Sequence, residues 1–431
     1  MKELIGLLLI LLLIVLTLKK RVYGFCLFLI VRILVPENVR LFSEHISLNT
    51  SIILVLMLLT LICGSNSKRK IRYNRTLMAG ILIFLTYTAC TLVLSDYINL
   101  IRQIKLLLQF VVTDIIPVVL CVEIVHSEKD AKSVIKSILG TSIIVCIYGG
   151  ISYLIKSNPY LLFWNSMNST HIADQWYGNF TSSTFVSTNS FGYFIGLAVP
   201  FIFYLYRKGI YKQYAKIALL LLIICSYLCK KRTTIIVLAF FAALLLISSD
   251  KKTKRKFLVF GVPVLIIATI IVFTVPSLEN FKNMIITSLF FWNDAVYNSV
   301  TSGNGGSNWW LRMNQFIYPF VEIKDNYIFG HGFGWCTVYL QGGTIHPVLY
   351  GFETIIAQLI CEYGLSSLIV FPLLMKGLYG FVGKNKDRKY ILIFILTAFV
   401  QMVGTGAIYW YLVLILLMLM RTISMNIQQG E

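Results

Sequence analysis

The chain has few charged residues. They make up 13% of its 431 residues, against about 25% in an average soluble protein, while 58% of the residues are hydrophobic. This composition excludes an ordinary soluble enzyme and a disordered chain. Acidic residues are the scarcest charges, with 18 Asp and Glu against 38 Lys and Arg, so the formal net charge is +20. Such a surplus indicates nucleic acid in a soluble chain and cytoplasmic loops in a membrane chain.

The sequence also lacks the short motifs of several enzyme classes. It contains no CxxC, HExxH, P-loop or GxGxxG pattern, so neither a zinc site nor an ATP-hydrolysing domain is predicted. Eight of its nine Cys residues fall in predicted membrane spans and only Cys336 falls in an outer loop, which argues against a disulfide framework. No metal and no cofactor are therefore expected.

Long apolar runs are abundant. A membrane-spanning helix needs about 20 mostly apolar residues, and a helix satisfies its own backbone in hydrocarbon. The runs predict an all-α, polytopic transmembrane helix bundle that forms a single integral membrane domain over residues 1–431. About thirteen spans are expected, with about two more or fewer. They lie near residues 3–18, 22–36, 50–64, 77–95, 106–125, 136–155, 188–206, 215–229, 233–249, 257–275, 350–373, 390–408 and 409–420.

Membrane topology explains most of the positive charge. With these spans, 26 of the 38 Lys and Arg residues fall on one side, which the positive-inside rule makes cytoplasmic. The N-terminus is then expected outside and the C-terminus in the cytoplasm, and no nucleic-acid partner is needed. The basic segments are Lys19–Arg21, Lys68–Arg75, Lys129–Lys136, Arg207–Lys216, Lys251–Lys256, Lys376–Lys389 and Arg421.

Two outer loops are long, at about 156–187 and about 276–349. The second is the only segment large enough to form a small lid, and it is rich in Asn, Gly and aromatic residues, including Trp309 and Trp310. Aromatic rings together with amide side chains suit the faces and hydroxyl groups of sugars. They are equally typical of an aromatic belt at the membrane interface.

One basic cluster breaks the positive-inside pattern. Lys230-Lys231-Arg232 falls in a very short turn on the predicted outer side. Long side chains can snorkel to the interface, which is one interpretation. The other is a fixed site for phosphate or pyrophosphate, because the planar guanidinium group binds phosphate oxygens in a bidentate manner.

Charges in or near the predicted spans form a second group of candidates, because burying them in hydrocarbon is costly. Glu353 lies at the outer end of the eleventh predicted span and is assigned to a site that opens outward. Glu362 lies deeper and is expected to pair inside the bundle. Asp114 and Arg32 must be paired or hydrated, and the sequence leaves open whether they carry protons or hold helices together.

The long outer loop adds two candidates. His346 is able to act as a general base because its unperturbed pKa lies near neutrality. Arg312 is one of three basic residues in this loop, and it is either solvated or available to an anion.

Four segments, in order, resemble the motifs of one family, the Wzy-type O-antigen polymerases and O-antigen ligases, which are bacterial membrane glycosyltransferases. The similarity covers about residues 178–370. Its segments are Gly178-Asn179-Phe180 to Asn189-Ser190-Phe191-Gly192, Lys231-Arg232-Thr233-Thr234, Arg312 followed by Asn326 to Gly334, and Glu353-Thr354 to Glu362-Tyr363-Gly364-Leu365. Three departures stand out. Asn189 lacks the preceding Pro, Lys231 replaces a Ser, and Glu353 stands where ligases have His, which favours a polymerase.

The resemblance implies a fold similar to the GT-C membrane glycosyltransferases and an enzyme of the outer face of the bacterial cytoplasmic membrane. Its substrates would be oligosaccharide repeat units linked to undecaprenyl pyrophosphate. It would polymerise them without a metal into O-antigen, the polymer of lipopolysaccharide, or into capsular polysaccharide. A flippase and a chain-length regulator are the protein partners that this function implies.

The resemblance also implies roles for single residues. Arg232 would neutralise the pyrophosphate leaving group, and Glu353 would be the general base, with His346 in reserve. The other expected substrate contacts are Lys231, Arg312, Trp309, Trp310 and Asn189.

Two other functions stay open. An O-antigen ligase would transfer the finished polymer to a lipid core. A flippase or transporter for lipid-linked oligosaccharide would place polar residues near the midplane on interrupted helices, a role open to Asp114, Glu362 and Arg32.

Overall fold

The computed structural model describes residues 2–40, 46–63, 72–95, 99–164, 180–279, 309–342, 345–349, 351–382, 387–406 and 409–426, with a few residues between 282 and 293. Throughout these ranges the chain is built from helices and contains no β-strand. The predicted all-α class is confirmed for this part of the chain.

The described part of the chain contains twenty α-helices. They are α1 (Lys2–Lys19), α2 (Arg21–Leu34), α3 (Leu48–Ile62), α4 (Arg72–Leu94), α5 (Leu100–Phe110), α6 (Ile116–Ile124), α7 (Glu128–Leu154), α8 (Pro159–Trp164), α9 (Thr188–Arg207), α10 (Lys212–Leu228), α11 (Arg232–Ile247), α12 (Lys251–Lys256), α13 (Val262–Thr274), α14 (Trp309–Ile317), α15 (Pro319–Glu322), α16 (Trp335–Gln341), α17 (Ile355–Tyr363), α18 (Ser367–Val382), α19 (Arg388–Thr405) and α20 (Trp410–Asn426). Two π-helical turns, Val111–Ile115 and Phe257–Gly261, join α5 to α6 and α12 to α13.

Six helical segments of the described chain are long and apolar enough to cross a membrane, and a bent pair of helices would make a seventh. The six are Leu77–Leu94, Leu100–Ile124, Glu128–Leu154, Thr188–Arg207, Lys251–Thr274 and Arg388–Thr405. Shorter apolar helices lie at Leu48–Ile62, Arg232–Ile247 and Trp410–Ser424. The length and composition of these helices are thus those of a multi-pass membrane protein. The count of about thirteen spans stays a prediction.

Helix α9 forms the centre of the bundle. Most of its residues are buried, and it packs against α10, α11, α19 and α20. Gly192 and Gly196 allow this close packing, because a Cβ atom at either position would collide with Thr234 or Gln401 respectively. Small residues at helix contacts let backbones approach closely in membrane bundles.

The predicted span 350–373 is not one continuous helix, although its two halves together are long and apolar enough for one bent span. Helix α17 ends at Tyr363, α18 begins at Ser367, and their axes differ by 119°. Gly364 lies at the break with φ +65°, a conformation that other residues rarely adopt. Glu353 precedes the first of these helices, because Thr354 caps α17 by accepting the backbone N–H of Ala357. In sequence, one Gly in the interior of an apolar run is compatible with a continuous helix, so the hydropathy pattern alone misses the bend.

Contacts between the basic loops bring different parts of the chain together. Lys20 lies 2.7 Å from a carboxylate oxygen of Asp130, and Lys208 lies 2.7 Å from Asp387. The hydroxyl of Tyr204 also donates to Asp387, at 3.0 Å. Each ion pair joins two of the basic loops, as expected if they lie on one side of a membrane. Which side that is stays a prediction.

The segment predicted as a long outer loop, 276–349, contains helices in its described part. Helices α14, α15 and α16 all pack against α17. The loop is therefore attached to the first half of the bent helix pair.

Candidate functional site

A cavity of about 490 Å³ lies at the end of the bundle where α2 ends and α20 begins. Its volume falls in the range typical of small-molecule sites, about 300–1,000 Å³. Helices α2, α4, α5, α17 and α20 contribute to its wall, together with the segment that leads into α16. The lining residues are Arg32, Glu37, Ser47, Phe84, Leu106, Gln109, Phe110, Thr113, Asp114, Phe333, Gly334, Cys336, Thr337, Ile355, Gln358, Leu359, Glu362, Tyr363, Phe371, Tyr409 and Trp410.

Among the described residues of the cavity wall, Arg32 is the one with a cationic side chain. Its guanidinium group is buried, 3.8 Å from a carboxylate oxygen of Glu37, and its central carbon lies 5.1 Å from the ring centre of Tyr411. Within the described part of the chain, its Nε atom has no hydrogen-bond partner. The wall also contains the carboxyl groups of Asp114 and Glu362, so it holds three acidic groups and one basic group.

Asp114 reaches the cavity from the π turn between α5 and α6. It accepts a hydrogen bond from the hydroxyl of Thr113 at 2.7 Å and one from the backbone N–H of Tyr411 at 3.5 Å. Pro117 follows the turn and has no N–H to donate to the carbonyl of Thr113, so it interrupts the regular α-helical pattern there. Single π turns inside α-helices are frequent at functional sites.

Glu362 lies in the last turn of α17 and joins this helix to α16. One of its carboxylate oxygens accepts the backbone N–H of Cys336 at 3.2 Å. The side chain is buried, as the sequence predicts, but it contacts the loop backbone where a partner within the bundle was expected.

A glycine-rich turn forms the next part of the wall. Gly330, Gly332 and Gly334 have φ angles of +63°, +79° and +81°, which explains why glycine alternates here. The fully buried amide of Gln103 on α5 donates to the carbonyls of residues 331, 332 and 333 at 3.1–3.3 Å. This single side chain therefore attaches the turn to the bundle.

The same turn completes the bend between α17 and α18. The N–H of His331 donates to the carbonyl of Cys361 at 2.8 Å, and the N–H of Leu365 donates to the carbonyl of Tyr327 at 2.7 Å. Irregular backbone at membrane depth is tolerated only where it is buried in protein or lines a cavity, and here the loop supplies its hydrogen bonds. Two of the segments identified in the sequence, 326–334 and 353–365, thus meet.

The other two segments meet as well, beside the cationic turn. The thiol of Cys229 donates to the carbonyl of Thr188 at 3.3 Å. The side chain of Lys231 lies 3.4 Å from where a Cβ atom at Gly192 would stand. Lys230 is partly buried, and this burial lowers the pKa of its ammonium group below the usual value.

Helix α19 connects the cationic turn to the cavity. Thr233, next to Arg232, packs against Gly404 near the end of α19. Gly406, just after α19, packs against Gln358 of the cavity wall. The cationic turn and the cavity are therefore neighbouring sites.

Glu353 and His346 lie outside the cavity wall. Glu353 is exposed. His346 is buried, and its Nδ1 atom accepts the backbone N–H groups of Val348 at 3.1 Å and Leu349 at 2.9 Å. Its Nε2 atom is then the donor to Glu322, at 3.2 Å. Because both ring nitrogens are engaged, this geometry does not favour the hypothesis that His346 is a base.

The remaining predicted site residues are spread over two elements. Asn189 is exposed in the first turn of α9, three residues before Gly192, which packs against Lys231. Trp309, Trp310 and Arg312 begin α14, and their side chains lie outside the described residues.

Among the residues that the structure describes, no three His, Cys, Asp or Glu side chains are grouped in a way that could hold a metal ion. Comparisons of the chain with models of protein families, with curated proteins and with solved structures found no match. The site is therefore argued from its own geometry.

The sequence identified Arg32, Asp114 and Glu362 as costly charges but did not place them in one cavity. It missed Glu37 and Gln103 altogether, because neither residue is unusual for its position. The available signals were indirect: the Pro shortly after Asp114 indicates an interrupted helix, and the alternating glycines indicate a tight turn.

Proposed function

We propose that the chain is a membrane glycosyltransferase that polymerises undecaprenyl-pyrophosphate-linked oligosaccharide repeat units. Its product would be O-antigen or capsular polysaccharide on the outer face of a bacterial cytoplasmic membrane. The thirteen-span topology, with the N-terminus outside and the C-terminus in the cytoplasm, belongs to this proposal.

One observation carries the proposal. The four segments that resemble the polymerase and ligase motifs are far apart in sequence, and they meet in two pairs at one end of the bundle. One pair contains the cationic turn. The other borders a polar cavity of about 490 Å³, a volume typical of small-molecule sites. This arrangement suits an enzyme that binds a charged leaving group and a hydroxyl-rich acceptor side by side.

The proposed reaction is a displacement at the anomeric carbon of the donor sugar. The acceptor hydroxyl oxygen forms a bond to that carbon, and the bond from the carbon to pyrophosphate breaks. The lipid pyrophosphate leaves with the electron pair. Arg232 and Lys231 would stabilise its charge, with Arg312 as a further contact.

The proton of the acceptor hydroxyl would pass to Glu353. A positioned general base typically contributes about 10²–10⁴-fold to the rate. Asn189, Trp309 and Trp310 would hold sugars of the repeat unit. His346 takes no part in this scheme, because its two nitrogens are engaged within the loop.

A flippase or transporter for the same lipid-linked sugars is the second candidate. It is favoured by one observation, the presence of buried charges beside two interrupted helices, the π turn at Asp114 and the bend after Glu362. Transporters often build their binding sites from discontinuous helices near the membrane midplane.

The test is deletion of the gene in its host, followed by electrophoresis of the cell-surface polysaccharide. A polymerase predicts loss of the polymer ladder with single repeat units retained at the surface. Loss of all surface material, with lipid-linked units kept inside, would instead establish the flippase. Complementation with the intact gene is the control, and an unchanged ladder would refute both functions.

A further inference from the structure

The cavity and the cationic turn have opposite charge. Among the described residues of the cavity wall, Glu37, Asp114 and Glu362 outnumber Arg32, and none is a Lys. The cationic turn consists of three consecutive basic residues, Lys230–Arg232. Two neighbouring sites of opposite charge are suited to two different ligands.

The charge balance makes the cavity a poor site for pyrophosphate. Among its described lining residues Arg32 is the one cation, and Glu37 already lies 3.8 Å from that guanidinium group. Asp114 and Glu362 add no positive charge. The wall therefore offers no uncompensated cation to balance pyrophosphate, and this anion is disfavoured here.

The remaining wall offers hydrogen bonds and aromatic faces. Gln109, Thr113, Thr337 and Gln358 provide amide and hydroxyl groups, and Trp410 is one of several aromatic residues beside them. Carboxylates and amides accept hydrogen bonds from hydroxyl groups, while aromatic rings pack against apolar ring faces. This combination fits a polyhydroxylated ligand without charge.

We infer that the cavity is a binding site for an uncharged sugar and that it excludes pyrophosphate. Identification of this sugar as the acceptor in chain growth rests on the proposed function. The chemical class of the ligand rests only on the cavity wall.

Charge-selective labelling of a single cysteine tests the sign of the cavity. Thr337 is exposed and lines the cavity, so Thr337→Cys places a thiol there. Asn189→Cys, three residues before Gly192, which packs against Lys231, is the matched variant at the cationic turn. Purified variants are treated with a cationic or an anionic methanethiosulfonate, and labelled peptides are identified by mass spectrometry. This separates them from the naturally exposed Cys63 and Cys90, and Cys336→Ser in both variants removes the native thiol beside position 337.

The expected ratio of cationic to anionic labelling is about tenfold higher at Thr337→Cys than at Asn189→Cys. Equal ratios, or faster anionic labelling in the cavity, would overturn the inference. Because this result does not depend on any enzymatic activity, it holds even if the gene deletion refutes the polymerase.

Protection from labelling tests the ligand class. The probes are inorganic pyrophosphate and the free repeat unit, released by mild acid from the lipid-linked intermediates of the host. The repeat unit should slow the labelling of Thr337→Cys, and pyrophosphate should not. Protection by pyrophosphate, or none by the repeat unit at millimolar concentration, contradicts the sugar site. If gene deletion removes the polymer ladder while the protection experiment fails, the sugar site is refuted and the proposed function still holds.

Discussion

The side-chain amide nitrogen of Gln103 lies 3.1 Å from the carbonyl oxygen of His331, a residue 228 positions later in the chain. The same nitrogen also donates to the next two carbonyls of the glycine-rich turn. One buried amide therefore satisfies three consecutive backbone acceptors of this turn. Together with the hydrogen bond from the N–H of His331 to Cys361, this contact holds the turn beside the cavity.

Replacement of Gln103 by Leu should destabilise the protein. Three buried carbonyls would lose their donor, and an unsatisfied buried polar group costs about 1–3 kcal/mol. Thermal unfolding of the purified protein measures the loss, and limited proteolysis should cut near His331. The control is Gln213→Leu, because Gln213 is exposed on α10. Equal unfolding temperatures for the two variants would show that the hydrogen bonds of Gln103 to the turn do not stabilise the protein.

Gly364→Ala should prevent the bend between α17 and α18 from forming. Its φ is +65°, and a Cβ atom would lie 2.5 Å from the carbonyl oxygen of Ile328. An unfavourable backbone conformation alone costs about 1–3 kcal/mol, and the collision adds to it. We expect little folded protein in detergent on size-exclusion chromatography. Gly377→Ala, where the surrounding space is open, should instead be neutral or stabilising by up to about 1 kcal/mol.

Arg32 and Asp114 should show energetic coupling. Asp114→Asn removes a second carboxyl group of the wall that contains Arg32, while Glu37 stays 3.8 Å from the guanidinium group, so the loss should be smaller than the cost of a broken buried pair, about 3–5 kcal/mol. Arg32→Gln should cost more, because it also breaks the pair with Glu37. In the double variant neither charge remains, so its loss of stability should be smaller than the sum of the single losses. Chemical unfolding of all four proteins gives the coupling, expected at about 0.5–3 kcal/mol. Additive losses would mean that the two charges do not interact.

Glu353→Gln should abolish polymer formation while leaving single repeat units on the lipid carrier. Glutamine keeps the size of the side chain but cannot take up the proton of the acceptor hydroxyl, so the rate should fall by about 10²–10⁴-fold. The readout is the polysaccharide ladder of the complemented deletion strain. Glu279→Gln, which changes an exposed carboxylate of the predicted outer loop 276–349, serves as the control. Long polymer at normal yield from Glu353→Gln would refute the base assignment.

Arg232→Lys tests whether the cationic turn makes a bidentate contact. Lysine retains the charge and can still snorkel to the interface, but it cannot hold two phosphate oxygens in a planar fork. Polymer should therefore be lost in the same complementation assay, with protein abundance in the membrane unchanged. Arg255→Lys, in the exposed α12, should have no effect. Normal polymer from Arg232→Lys would leave membrane snorkelling as the sole role of this side chain.

The long helices could be predicted from the sequence, because an apolar run of sufficient length has no other stable state in a membrane. The predicted runs 136–155 and 188–206 correspond to α7, Glu128–Leu154, and α9, Thr188–Arg207. The sequence also places the basic loops on one side of the membrane, and ion pairs between these loops, such as Lys20–Asp130, agree with that grouping. Local composition decides these features.

The bend and the cavity could not be predicted in the same way. Whether α17 continues past Gly364 depends on hydrogen bonds from Tyr327 and its neighbours, which belong to another segment. The placement of Arg32 and Asp114 in one cavity wall likewise depends on how α3 and α20 pack against the π turn. Such contacts join residues far apart in the chain, and hydropathy along the chain contains no information about them.

The contact between Gln103 and the glycine-rich turn has a consequence for the biosynthesis of the protein. Ribosomes add about 5–20 residues per second, so α5 enters the membrane roughly 10–50 s before the residues that Gln103 will hold have been made. During that interval its amide must be hydrated or paired with a temporary neighbour. The cavity wall also includes Trp410, so it is among the last parts of the bundle to be completed, after nearly the whole chain has been made.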